Sequence, residues 1–263
     1  MTRVMGIVNV TPDSFSDGGR WLDPDQAVRH ARTLIDEGAD LIDIGGQSTR
    51  PGSSPVDEST ELARTIPVIE ALAGTIGAVE ISIDTTKPGV AVAAVAAGAT
   101  IINDVSARLE GIAAETGAGW VAVHSPGPSA TMQDDPHYDD VVEDIHAHLA
   151  DAAARGRAAG VNRIWVDPGI GFGKTTDHNL ELVGNLDRFS EIAPVLVGVS
   201  RKRFIGEIHA RSDGIAPETP VTPPDDRLAG SVALAAWSTH LGADIVRVHD
   251  VRATVHAVRV VQS

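Results

Sequence analysis

Asp84, Asn103 and Asp167 each close a short apolar run, and further along the chain Lys202, Arg247 and His249 follow similar runs. Two carboxylates and an amide brought together can accept paired hydrogen bonds from a planar heterocycle with adjacent N–H donors, as a carboxylate accepts them from a guanidinium. The plainer reading of any one of them is an aspartate that caps the following helix, but a buried carboxylate is costly unless donors meet it. The cations, joined by Arg50 in "STRPG", supply the complement. Each alone suits a surface ion pair; together near strand ends in an acidic chain they suit a phosphate or carboxylate. Asn9, at the end of the first apolar run, offers a hard oxygen for a magnesium ion that also binds substrate phosphates.

The stretch "DPGIGFGKT" from Asp167 looks like a phosphate-binding loop and is not one. Counting back from Gly173-Lys174 puts Pro168 where the first glycine of that loop must stand, and the dinucleotide fingerprint fails because Lys174 stands where its third glycine belongs. Lys174 itself reads as neutralising nearby acid. The loop "NVTPDSFSDGG" after Asn9 is rich in turn residues and carries Phe15 at its tip. His146 and His148 are two apart on a helical stretch and do not share a face, which argues against a zinc site.

These residues need a scaffold that brings distant chain segments to one rim. A glycine, often Gly-Ala, repeatedly ends a helical stretch and is followed by four to six apolar residues and then a polar one, as in "GADLIDIGG", "GAVEISIDT", "GATIINDVS", "GAGWVAVHS" and "GADIVRVHD". Glycine ends a helix well because it takes the left-handed conformation without a Cβ penalty. Nearly continuous apolar runs suit parallel strands buried on both faces. With "VMGIVNVT", "VNRIWVDPG" and "PVLVGVS" the pattern gives eight strands alternating with helices. That number, in a chain of 263 residues read as one domain from 1 to 263, is that of a (β/α)8 TIM barrel. An open doubly wound sheet is the alternative, but it concentrates function at its switch point, whereas here nearly every strand ends on polar chemistry. The stretch "SDGIAPETPVTPPDD" reads as a solvated surface excursion.

Composition narrows the partners. A formal charge of −15 disfavours nucleic acid, whose phosphates require a basic face. No cysteine is present, which removes disulfide, thiol and cysteine-zinc chemistry and fits a reducing cytosol. No signal peptide is evident, and the longest weakly polar run, "GVAVAAVAAGATII", falls short of a bilayer span.

Taken in order, "MGIVNVTPDSFSDGG", "GADLIDIGGQSTRPG", "SIDTTKPGVA", "INDVS", "DPGIGFGKTTDHN", "GVSRKRFIG" and "RVHDV" resemble the motifs of the dihydropteroate synthase family across almost the whole chain. The resemblance implies that 4-aminobenzoate displaces pyrophosphate from (7,8-dihydropterin-6-yl)methyl diphosphate to give 7,8-dihydropteroate. It assigns the pterin to Asp84, Asn103, Asp167 and Lys202, with Phe172 flanking the ring, and the diphosphate to Arg50, Arg247 and His249 with magnesium near Asn9. It assigns the aminobenzoate to Phe15, Thr49, Pro51, Lys202 and Arg203. It also implies a cytoplasmic homodimer with small-molecule substrates. Gln47 stands where the family usually has glutamate, and Val123 replaces a common methionine. Two rivals remain: a pterin-binding methyltransferase on a similar barrel, which has no need of "STRPG" or "SRKRF", and a binding-only paralogue, which the retained cations disfavour.

Overall fold

The computed structural model describes residues 1–11, 24–48, 53, 55–127, 131–214 and 222–263; Phe15, Thr49, Arg50 and Pro51 lie outside them. The strands are β1 (Arg3–Asn9), β2 (Leu41–Gly45), β3 (Glu80–Asp84), β4 (Ile101–Asp104), β5 (Gly119–Val123), β6 (Ile164–Asp167), β7 (Leu196–Val197) and β8 (Ile245–Val248). They form one parallel sheet in the order β6-β5-β4-β3-β2-β1-β8-β7. A parallel bridge between Val166 and Val195 joins its two ends, so the seam between β6 and β7 closes on little more than one residue pair. Around it lie α1 (Pro24–Asp36), α2 (Glu58–Leu72), α3 (Pro88–Ala97), α4 (Glu110–Thr116), α5 (Val141–Ala159), α6 (Thr176–Gly184), α7 (Leu186–Ser190), α8 (Arg203–Ser212), α9 (Leu228–His240) and α10 (Val251–Val261). The architecture is the (β/α)8 TIM barrel expected from the repeated glycine-ended units, and Gly38, Gly77, Gly98, Gly117 and Gly242 all take positive φ.

Two apolar cores follow from the period-two alternation of strands. The larger lies between sheet and helices. The smaller fills the barrel interior with Met5, Leu41, Ile101, Val121, Val123, Trp165, Leu196 and Ile245. Gly119 on β5 lies beside Trp165 of the neighbouring β6, and a Cβ there would stand 2.8 Å from the indole ring. At the strands' amino-terminal end, Trp165 Nε1 donates to Asp244 at 2.7 Å. The guanidinium carbons of Arg3 and Arg163 each lie 5.5 Å from its ring centroid. This closes the barrel floor.

Register then decides which polar residues meet at the other end. Asn9 pairs with Gly45, Gly45 with Asp84, and Asp84 with Asn103, so these positions form one row at the carboxyl rim. One tier below, Ile7 pairs with Asp43 and Asp43 with Ser82. Asp43 therefore shares the inward face with Asp84 and Asn103. Asp104, one residue past Asn103, must face outward. Its carboxylate caps the following segment, accepting from the backbone N–H of Ser106, Arg108 and Leu109 and from Trp120 Nε1.

Candidate active site

A cavity of about 840 Å³ opens at the carboxyl ends of the strands, and Asn9, Asp84, Phe172, Lys202, Arg203, Arg247 and His249 all line it. Asn103 and Asp167 do not reach its wall. They lie just beneath it, in the buried floor, 3% and 6% exposed, Asn103 bonded to Asp43 and Asp167 within the charge influence of Lys202 and Arg247.

Arg247 is the hub. Its Nε donates to Asp43 Oδ2 at 2.6 Å and its Nη2 to Asp84 Oδ2 at 2.9 Å, while Asn103 Nδ2 donates to the same Asp43 oxygen at 3.0 Å. Burial opposes the Arg247 charge, but Asp43 and Asp84 outweigh it and raise its pKa. One guanidinium cannot neutralise two carboxylates. Burial pushes the Asp84 carboxyl up to about 7, with Asp43 and Glu61 adding to the rise and Arg247 and Lys202 opposing it. Three oxygens of this floor, Asp43 Oδ1, Asp84 Oδ1 and Asn103 Oδ1, are buried acceptors with no donor among the described residues. Buried acceptors of this kind are costly unless a ligand supplies N–H groups.

Asp167 ends β6, and its Oδ1 accepts from Gly169 N at 2.7 Å. Burial raises its pKa, against that bond and the charges of Lys202, Arg247 and Lys174. The glycines after it have a reason other than clearance for a ring. A Cβ on Gly169 would lie 1.8 Å from His124 O, and one on Gly173 would lie 2.2 Å from Pro126 Cγ, so the loop is pressed against the segment after β5. Only Gly171 borders Lys202, whose Cδ would be 3.0 Å from an added Cβ. Lys202 crosses from the β7 loop to place its Nζ 4.4 Å from the Phe172 ring centroid.

Lys174 props the same loop. Its ammonium donates to Gly169 O and Phe172 O, both at 2.9 Å, and meets His124 Nδ1 at 3.1 Å. Burial lowers its pKa to about 7, despite Asp167. The His124 imidazole is pushed down to about 2 by burial, with Lys174 and His148 adding. A neutral ring accepting at Nδ1 fits that shift. Linkage gives the sign. Below the ordinary histidine pKa of 6.5 the unfolded chain protonates His124 while the folded chain does not, so stability drops as pH drops. Between pH 6.5 and about 5 the chain is expected to lose about 2 kcal/mol more than a His124→Gln variant, read from urea midpoints; parallel curves for the two proteins would contradict this.

Just after β8, His249 Nδ1 lies 3.0 Å from Ser200 Oγ, which also accepts from His249 N at 3.2 Å. His148 meets His124 edge-on at 4.9 Å between ring centroids, while His146 stacks toward Phe189. The two histidines thus face different neighbours, as their spacing implies. Among the described residues no group of three or more His, Cys, Asp or Glu side chains could hold a metal ion. Gln47 Oε1 accepts from Lys87 Nζ at 2.7 Å and from Val56 N at 3.1 Å. Asp43 counts among the polar strand ends in the sequence, but the strand-end pattern gave it no ligand role. It lies two residues before the strand's last residue, and the period of two was the signal that would have turned it inward.

An acidic barrel floor with unpaired acceptors beneath a cationic rim defines a pocket for a flat, N–H-rich ring carrying an anion. Residues 5–249 match the family model described as pterin binding enzyme. The dihydropteroate synthase of Mycobacterium leprae (strain TN) is 43% identical over 98% of this chain and 92% of its own. A Xanthomonas albilineans dihydropteroate synthase solved with 4-aminobenzoic acid superposes with a TM-score of 0.89 at 48% identity, covering 99% of this chain and 92% of that one. A structure of that organism's enzyme with 7,8-dihydropteroate gives 0.85 at 45% identity, with the same coverage. The chain belongs to the pterin-binding barrel enzymes and, within them, to the dihydropteroate synthases. Its activity is that of a transferase of folate biosynthesis acting on small molecules.

Proposed function

We propose a division of labour for the synthase reaction, carried by the three unpaired acceptor oxygens on Asp43, Asp84 and Asn103. The pterin's N–H edge is met by Asp84, Asn103 and Asp167, its ring lies beside Phe172, and Lys202 bridges toward the aminobenzoate. Arg50, Arg247 and His249 hold the diphosphate. Phe15, Thr49, Pro51, Lys202 and Arg203 enclose 4-aminobenzoate, with the Arg203 and Lys202 charges available to its carboxylate.

Catalysis in this reading is electrostatic. The bond between the pterin methylene carbon and the diphosphate oxygen breaks, and its electron pair leaves with pyrophosphate. Positive charge spreads into the dihydropterin, which the Asp84 and Asp167 carboxylates favour. Arg50, Arg247 and His249 stabilise the departing anion. The amine of 4-aminobenzoate forms the new C–N bond and sheds a proton. Its lone pair is free at neutral pH, so positioning matters more than a strong general base. The group that fits Asn9 is magnesium, because a single hard oxygen beside Arg247 and His249 suits an ion that keeps its waters and takes further ligands from phosphates. Magnesium supplies added charge neutralisation of the diphosphate.

A second copy of this chain is part of the reading: α9 exposes Trp237, a large aromatic surface that suits a dimer contact. Sedimentation at twice the monomer mass supports it, and monomer mass at micromolar concentration counts against it. A cytoplasmic setting agrees with the absence of cysteine. No described helix is long and apolar enough to cross a membrane.

The division of sites is tested by titrating a 7,8-dihydropterin with and without its diphosphate. His249→Ala and Arg50→Ala are each expected to weaken the diphosphate form about tenfold or more and to leave the diphosphate-free pterin within about twofold. Equal losses for both ligands would refute the separation.

A further inference from the structure

The loop between β7 and α8 carries Ser200, Arg201 and Lys202, and Arg201 has φ +57. A left-handed backbone at a branched-off-Cα residue is sterically disfavoured and persists only where surroundings hold it. The holding contacts are explicit. Arg201 N donates to Ser231 Oγ at 2.9 Å, and Arg201 O accepts from Arg227 Nη1 at 2.9 Å. Arg227 is only 6% exposed and also donates through Nε to Thr222 O at 2.7 Å. The Arg201 side chain grips Asp250 with both arms of its fork, Nε to Oδ2 at 3.0 Å and Nη2 to Oδ1 at 2.7 Å. Its contact to Asp225 Oδ1 at 3.1 Å involves a carboxylate 89% exposed, where solvent screening leaves little.

Asp250 directly follows His249, and Lys202 directly follows Arg201. The fork therefore joins the loop that carries the pterin-side lysine to the loop that carries the diphosphate-side histidine, alongside the Ser200–His249 contact at 3.0 Å. We propose that Arg201 and Asp250 are positioning residues that staple these two loops into one unit, so that occupancy of the diphosphate site organises the pterin site. This rests on the roles assigned above to Lys202 and His249. A two-point arginine–carboxylate fork fixes direction as well as distance, which a single ammonium contact does not. Sites held on one rigid frame share the cost of ordering, so binding at one eases binding at the other.

The test uses the full chain with Arg201→Asn, whose short side chain tolerates the left-handed backbone, together with Asp250→Asn and the double variant. Each single change is expected to lower kcat/KM for the pterin diphosphate about tenfold, and the double to fall no more than about threefold below the worse single, because both break one staple. Pyrophosphate is expected to tighten binding of a diphosphate-free dihydropterin about fivefold or more in the wild-type chain and to lose that effect in each variant. Arg201→Lys, which keeps the charge without the fork, is expected to fold as wild type and still lose the coupling. Coupling that is absent in the wild type, or equal in all proteins, overturns the staple, as do additive losses of activity. Lys202→Met and His249→Ala run alongside: if neither alters ligand binding, the role assignments fall and the staple with them, whereas normal effects there with unchanged coupling remove the staple alone.

Discussion

Replacing Arg247 with methionine is expected to cost the folded state about 3–5 kcal/mol, because it strips the shared counter-charge from Asp43 and Asp84 and leaves a buried charge without compensation. The loss should depend on pH in a definite direction. Arg247 holds down an Asp84 carboxyl that burial already raises to about 7 from 3.8. Without the guanidinium that carboxyl rises further, and the folded chain keeps a proton that the unfolded chain releases. Stability of the variant then declines as pH rises from about 4 through 7 and beyond. Urea unfolding at pH 5 and pH 8 measures it. A penalty below about 1 kcal/mol, or one equal at both pH values, would mean that Arg247 is not the charge partner of the floor. In the division of labour proposed above the same change also removes a diphosphate contact, so turnover is expected to be lost even where the chain remains folded.

Lys202→Met is expected to lower kcat/KM by about 100-fold or more, in the range found when a preorganised charge donor is removed, with little change in unfolding midpoint. Methionine keeps the stem that packs beside Gly171 and deletes the ammonium, which lies 4.4 Å from the Phe172 ring centroid. Asp167→Asn removes a carboxylate whose charge Lys202 favours and is expected to impair pterin binding. Steady-state kinetics with the pterin diphosphate as the varied substrate decide it. Unchanged constants in both variants would remove these residues from the pterin site.

The barrel was legible because the same unit, a glycine-ended helix followed by a short apolar run, recurs along the chain. The rim was legible because each run ends on a polar residue. Strand-end position alone did not say which way a side chain faces. Asn103 and Asp104 are adjacent, yet one joins Asp43 inside the barrel and the other caps the outer segment. Pairings such as Arg247 with Asp43, 204 residues apart, depend on register between β1, β2 and β8 and leave no mark in local spacing. The glycines of "DPGIGFGKT" illustrate the same limit. Their spacing excludes a phosphate loop but does not name what they approach, which is the His124–Pro126 segment, brought there by the β5–β6 pairing. Lys174 read as a neutraliser of acid, and its charge does favour the Asp167 carboxylate; the fold adds that it donates to two backbone carbonyls and so braces that loop.

The most direct measurement is release of pyrophosphate from purified protein mixed with magnesium, 4-aminobenzoate and (7,8-dihydropterin-6-yl)methyl diphosphate. A ring gripped by the acidic floor while its leaving anion is drawn to the cationic rim predicts steady release matched one for one by 7,8-dihydropteroate. It also predicts loss of both products in Lys202→Met. No release from folded wild-type protein, or release undiminished in that variant, would contradict it.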